Sequence, residues 1–132
     1  MGCSVRGRVD EIERLYQIVG NEAGTPKAKE TLEILLEKYP KANRTGCALQ
    51  YVGQAPSGRK KEAYLTRVIK DFGDCYYGDG VQVGAYARFY LAAHYAKTGK
   101  RSEAKALFDE IRKDYPDAVN HKGKLLADLI AR

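Results

Sequence analysis

Gly84 to Pro116, GAYARFYLAAHYAKTGKRSEAKALFDEIRKDYP, is the stretch whose reading decides the fold. Its first half places Tyr86, Phe89, Tyr90, Ala93, Tyr95 and Ala96 at spacings of three and four, so large side chains line one face of a helix and that face must be buried. Thr98-Gly99-Lys100 then stops the helix, because Gly takes the left-handed conformation without a Cβ clash. Ser102 is a candidate N-cap for a second helix, in which Ala104, Leu107, Phe108, Ile111 and Tyr115 again step by three or four. Pro116 ends it by disfavouring helical geometry at the residue before. The stretch is therefore a helical hairpin carrying its own start and stop residues.

Tyr95, Gly99, Ala104, Phe108 and Pro116 stand in the order and spacing of a tetratricopeptide repeat, which the stretch resembles position by position. Two positions depart mildly: Ala92 stands where that family usually has Gly, and Arg88 where it often has Trp. Earlier in the chain Ala28, Leu32, Leu35, Leu36, Tyr39 and Pro40 reproduce the second helix, with Thr25-Pro26 as N-cap and first helical residue. Ala28 to Pro40 spans the same interval as Ala104 to Pro116. A middle copy runs through Cys47, Ala48, Tyr51 and Val52, turns at residues 55–58, and continues through Tyr64, Leu65, Val68 and Phe72. It carries Lys61 where the other copies have a small Ala.

The resemblance implies an all-α fold, a right-handed superhelical stack of antiparallel helix pairs with about seven helices in a single domain. The expected repeats are residues 5–40, 41–73 and 80–116, followed by a capping helix over 117–131 that begins at Asp117 and uses Val119, Leu125, Leu126, Leu129 and Ile130. The interval from Ala28 to Lys61 is near the family's period, whereas that from Lys61 to Ala104 is about nine residues longer. The extra residues form the Gly73–Gly84 insertion, where Asp79 and Gln82 fit a capping box that starts helix five near Gly80. Before it, Asp74 to Gly78 reads as a loop exposing Tyr76 and Tyr77. Its glycines do not form a phosphate cradle, since no strand precedes them and no GxxxxGK[ST] follows.

Members of that family bind extended or helical segments of partner proteins in a concave groove lined by the first helix of each repeat. Register places Glu13 and Gln17, then Asn43, Gln50 and Gln54, then Tyr86, Phe89, Ala93 and Lys97 on that side. The amides suit a peptide backbone of any sequence, and the aromatics supply flat apolar area. The expected function is a non-catalytic protein-interaction module for a partner protein or peptide.

The rival class is a basic module binding nucleic acid or another acidic surface. Net charge is +6, and Arg59, Lys60, Lys61, Arg67 and Lys70 form the densest basic patch. Lys and Arg nevertheless lie beside Glu and Asp on nearly every helix, the pattern of a solvated face, which makes nucleic acid the weaker reading. An enzyme is weaker still. Cys75 with Asp74 and Asp79 lacks a neighbouring base, His94 and His121 are expected on separate helices without a ligand cluster, and no cofactor or metal site is expected.

Cys3, Cys47 and Cys75 form no CxxC pair, and Cys47 is expected as a buried small hydrophobe. No run of about twenty apolar residues and no intact signal peptide is evident, so the chain is expected to be soluble as given. Arg6 breaks the myristoylation pattern that Gly2 would begin, while Gly2-Cys3-Ser4 also fits the stub of a trimmed lipoprotein leader. Compartment and oligomeric state stay open.

Overall fold

Helix boundaries fall where the chain carries residues that cannot continue a helix. The computed structural model describes residues 5–56 and 58–130. Among them it contains α1 Val5–Asn21, α2 Pro26–Lys38, α3 Asn43–Gly53, α4 Gly58–Asp71, α5 Val83–Lys97, α6 Arg101–Asp114 and α7 Leu126–Leu129, and no strand. The opening Gly2-Cys3-Ser4 lies outside the described residues. Gly24, Gly58 and Gly99 take positive φ at the α1–α2, α3–α4 and α5–α6 turns. At the last of these, the Lys100 N–H reaches the Tyr95 carbonyl at 2.8 Å, closing α5 around the left-handed Gly99. Thr25 occupies the N-cap of α2 ahead of Pro26, but its hydroxyl donates back to the Glu22 carbonyl at 2.6 Å. The N-cap of α6 is Lys100, so Ser102 lies inside the first turn and does not cap it.

The helices pack in sequence order as a helical solenoid: α1 on α2, α2 on α3, α3 on α4, α4 on α5 and α5 on α6. In addition α1 touches α3 and α3 touches α5, while the even-numbered helices make no comparable contacts with one another. Closer packing among the odd helices puts them on the inner side of the stack. Buried Leu15, Val19, Leu32, Leu35, Leu49, Leu65, Val68, Leu91 and Ile111 run through it as one core. Small residues set the helix spacing. Ala28 and Ala104 are buried, and a Cβ on Gly53 would come 3.1 Å from both Tyr64 and Leu65. Lys61, in the middle copy's small-residue position, is half-buried and carries its ammonium to 6.0 Å from the Tyr90 ring centroid. Arg88, in the family's Trp position, pins α5 to α6 through Glu110 at 2.7 Å and the Tyr115 ring at 5.0 Å.

The insertion is a small hairpin, and it occurs twice. Cys75 N–H bonds the Phe72 carbonyl at 3.1 Å, Tyr77 the Val81 carbonyl at 2.9 Å, Gly80 the Tyr77 carbonyl at 3.0 Å, and Val83 the Cys75 carbonyl at 2.9 Å. Forty-three residues on, Ala118, Asn120, Gly123 and Leu126 repeat the same four bonds at 3.1, 2.9, 3.0 and 2.9 Å. Each hairpin holds one isolated antiparallel bridge, Tyr76 with Gln82 and Val119 with Leu125. The helix expected from Asp117 is therefore replaced by a second hairpin over residues 115–125, and among the described residues of that stretch only Leu126–Leu129 are helical. Asn120 causes this: its side-chain oxygen accepts from the Lys122 and Lys124 N–H groups at 2.9 and 3.0 Å, turning the chain where a helix would run.

Helix α5 starts at Val83, later than the expected Gly80, because Gln82 is itself the cap. Its Oε1 accepts from the Ala85 N–H at 2.5 Å and its Nε2 donates to the Gly73 carbonyl. Gly46 on α3 lies against the first hairpin, where a Cβ would stand 2.6 Å from Cys75 Sγ and 2.8 Å from Phe72 Cβ. Gly46→Ala is expected to cost about 1–3 kcal/mol of overpacking in urea unfolding. Gly20→Ala, with no neighbour within 4 Å, serves as the control and should lose nothing.

Candidate partner-binding face

The inner side of the stack is built from α1, α3 and α5, with both hairpins laid against them. Asn43, at the start of α3, grips the first hairpin by its backbone. Its Nδ2 donates to the Tyr76 carbonyl and its Oδ1 accepts from the Tyr76 N–H, both at 2.7 Å. One turn on, Cys47 Sγ lies 3.3 Å from the same carbonyl. Tyr77 inserts beside it, its hydroxyl 3.0 Å from the Cys47 carbonyl and in contact with the Gln50 amide. A phenol has one hydrogen. With the Gln50 amide turned so that Nε2 donates to the phenol oxygen, the otherwise unpaired Nε2 is satisfied and the phenol proton is left for Cys47.

Aromatic rings continue this strip on both sides. Towards α1, the Arg44 guanidinium lies 4.3 Å from the Tyr16 ring centroid and binds Glu13 through Nε at 2.9 Å and Nη2 at 3.4 Å. Towards α5, Tyr86 meets Tyr90 edge-on at 5.0 Å, and His121 of the second hairpin packs on Tyr77 at 4.7 Å and Tyr86 at 5.1 Å. His121 Nδ1 also stands 2.7 Å from Asp79 Oδ2, joining the two hairpins. His121 is thus a hairpin residue and not the helical one expected. It also does what no sequence motif announced, since its partner lies 42 positions away.

The residues singled out from register fall into three groups. Asn43, Gln50, Tyr77 and Tyr86 converge, but as partners of the chain's own hairpin. Gln50, Tyr77 and Tyr86 are buried, so Tyr77 is not the exposed loop aromatic expected. Tyr76 is, with 52% of its surface open. Gln17 and Lys97 are exposed on α1 and α5, Gln17 donating to Glu13 at 3.0 Å, and Ala93 is exposed as well. Gln54 lies apart from the strip, and Phe89 stands at its edge with its ring 6.4 Å from Tyr90. Phe89 packs on Phe108 of α6 at 6.2 Å, and half-buried Gln54 lines a cavity at the turn end of the stack. Tyr16, Arg44, Tyr90 and His121 were missed. The sequence signal for the last was the hairpin repeat, Gly80 and Gly123 standing the same distance apart as Lys61 and Ala104.

Burial sets the chemistry of the ionisable groups. Desolvation pushes the Cys47 thiol up to about 12 and raises Cys75 as well, with the Asp74 charge adding to the latter. The same cause raises the phenols of Tyr77 and Tyr86. Both shifts disfavour the thiolate, the form in which a cysteine acts as a nucleophile. Among the described residues no cluster of three or more His, Cys, Asp or Glu could hold a metal ion, and no helix is long and apolar enough to cross a membrane. The basic patch is divided: Arg67 faces Asp71 at 3.7 Å, Lys61 faces Tyr90, and Lys60 lines the cavity at the turns.

Two outcomes are expected. Iodoacetamide at neutral pH should leave Cys47 unlabelled in the folded chain and label it on unfolding, as read by peptide mass spectrometry. Asp79 is held below the ordinary aspartate range, chiefly by the His121 hydrogen bond, so its contribution to stability is complete above that range and is lost as pH falls through the lowered value. His121→Ala should therefore move the Asp79 carboxyl titration upward by NMR.

Residues 86–118 match the family model described as Tetratricopeptide repeat. No curated protein and no solved structure matches the chain. That match covers most of α5 and all of α6, the helix pair marked out above by spacing and by the stop residues Gly99 and Pro116.

Proposed function

We propose that this chain is a non-catalytic interaction module whose inner face takes an extended segment of a partner protein alongside its own first hairpin. The observation that carries this reading is the Asn43 grip on Tyr76. The inner face already holds one stretch of extended backbone through a side-chain amide, with an aromatic seated beside it. A partner segment would use what remains open. That is the half-buried Tyr16 and Tyr90 rings and the exposed Tyr76 and His121, with Gln17 and Lys97 at the ends of α1 and α5. Gln50, Tyr77 and Tyr86 then form the wall behind the contact and not the contact itself. Tyrosines suit this use, since each offers a large rigid surface and one polar handle at little cost in side-chain entropy.

The test is capture of a partner from native extract by wild type and by the Tyr76→Ala/Tyr90→Ala double variant. Tyr76 is exposed and Tyr90 half-buried at the edge of the core, so circular dichroism is recorded on both proteins and should show the helices intact. Loss of a captured protein, by at least ten-fold in recovered amount, is the expected outcome. Equal capture by the two would remove the inner face from consideration.

A further inference from the structure

The stack has two junctions between successive helix pairs, and they are finished differently. Helices α2 and α4 are in register 33 residues apart, with buried Leu32 and Leu65, Leu35 and Val68 as matched positions. In that register Lys29 corresponds to Glu62. At the junction of α4 with α5 and α6, the Glu62 carboxylate is bracketed by His94 Nε2 at 3.3 Å and Lys100 Nζ at 3.4 Å, and Lys100 also lies 5.4 Å from the Tyr95 ring centroid. That junction is closed by an acid between two bases.

The junction of α2 with α3 and α4 has no such acid. Lys29 stands in the Glu62 position and Lys60 joins it from the start of α4. Among the described residues neither lysine forms an ion pair, and no carboxylate lines the space they share. That space is a cavity of about 750 Å³ walled by Pro26, Tyr51, Val52 and Tyr64, and Tyr51 keeps 39% of its surface exposed. Exposed Ala23, Gly24 and Ala55, small residues of the two turns, form its mouth. A cavity of this size holds one or two large side chains.

We propose that this cavity docks an acidic, aromatic segment of a partner protein. An aromatic or large aliphatic side chain fills the space between Tyr51 and Tyr64, and carboxylates on either side of it pair with Lys29 and Lys60. The partner thus supplies from outside the anion that Glu62 supplies from within at the next junction. The site lies at the turn end of the stack and is independent of the inner-face reading. Charge specifies the class of segment and the apolar walls supply the anchor.

The probe is the peptide Ac-DDFLDD-amide, titrated into the isotope-labelled full chain and followed by amide NMR shifts. Saturable shifts at Lys29, Tyr51, Lys60 and Tyr64 are expected. Binding should weaken at least ten-fold with Lys29→Glu/Lys60→Glu, and at least ten-fold with Ala55→Trp, which fills the mouth without reversing charge. Both lysines and Ala55 are exposed, so the spectra should stay dispersed. Ac-DDSSDD-amide should bind at least ten-fold more weakly, and Tyr90→Ala should bind like wild type. No saturable shift at millimolar peptide would overturn the proposal. Equal binding of the serine peptide would do the same by leaving only charge, and shifts confined to the inner face would place the peptide elsewhere. Because Tyr90→Ala separates the two faces, failure here and failure of partner capture are distinguishable.

Discussion

The backbone of Tyr76 is held at both of its polar atoms by one side chain, Asn43, and much of the inner face depends on that hold. An inserted segment between two stacked helix pairs must place its own N–H and C=O groups somewhere. Buried ones without partners are costly. The chain meets this by laying the insertion across α3, where one amide satisfies both groups of the central residue. Tyr77 then drops into the interior, and its hydroxyl finds Gln50 and the Cys47 carbonyl. Removal of the amide would leave two backbone groups to water and loosen the anchor of the aromatic strip.

Stacking order follows from simple side-chain sizes. The first hairpin approaches α3 and α5 closely because Gly46 and Gly84 present no side chain: a Cβ on Gly46 would meet Cys75 Sγ, and one on Gly84 the Gly73 carbonyl, each at 2.6 Å. Charges lie on odd and even helices alike, as pairs between helices such as Arg44 with Glu13 at 2.9 Å and within one helix such as Lys105 with Asp109 at 2.7 Å. Exposed pairs of this kind are worth little individually. Cohesion of the stack therefore rests on the buried aliphatic residues, and the inner face is left to polar and aromatic groups whose geometry is held by the core beneath them.

The helices were legible in the residues because spacing and stop residues agreed. Pro40 and Pro116, Gly24 and Gly99, and the three-and-four recurrence of Leu32, Leu35, Phe108 and Ile111 each point to the same boundaries. The hairpins were not, because apolar residues in 117–131 happen to fall at helical spacing while Asn120 turns the chain by local hydrogen bonds. Register identified Asn43, Gln50 and Tyr86 as inner-face residues. What it could not foresee is that a segment from the same chain would occupy them. That follows only from the closeness of hairpin and helix in space, which periodicity does not encode. Tyr16 and Arg44 escaped for a related reason: their contact crosses between α1 and α3, and spacing within either helix does not encode it.

Matching backbone bonds in the two hairpins also bear on how such a chain lengthens. Val83 and Leu126 leave their hairpins by the same hydrogen bond, to Cys75 and Ala118, so each enters its helix with the same trajectory. The stretch from Phe72 to Asp114 thus behaves as a cassette whose exit geometry reproduces its entrance. Grafting one such cassette onto Tyr115 extends the scaffold without a newly invented joint, and each graft adds another hairpin to the inner surface. Binding length and binding chemistry grow together, in steps set by the unit itself.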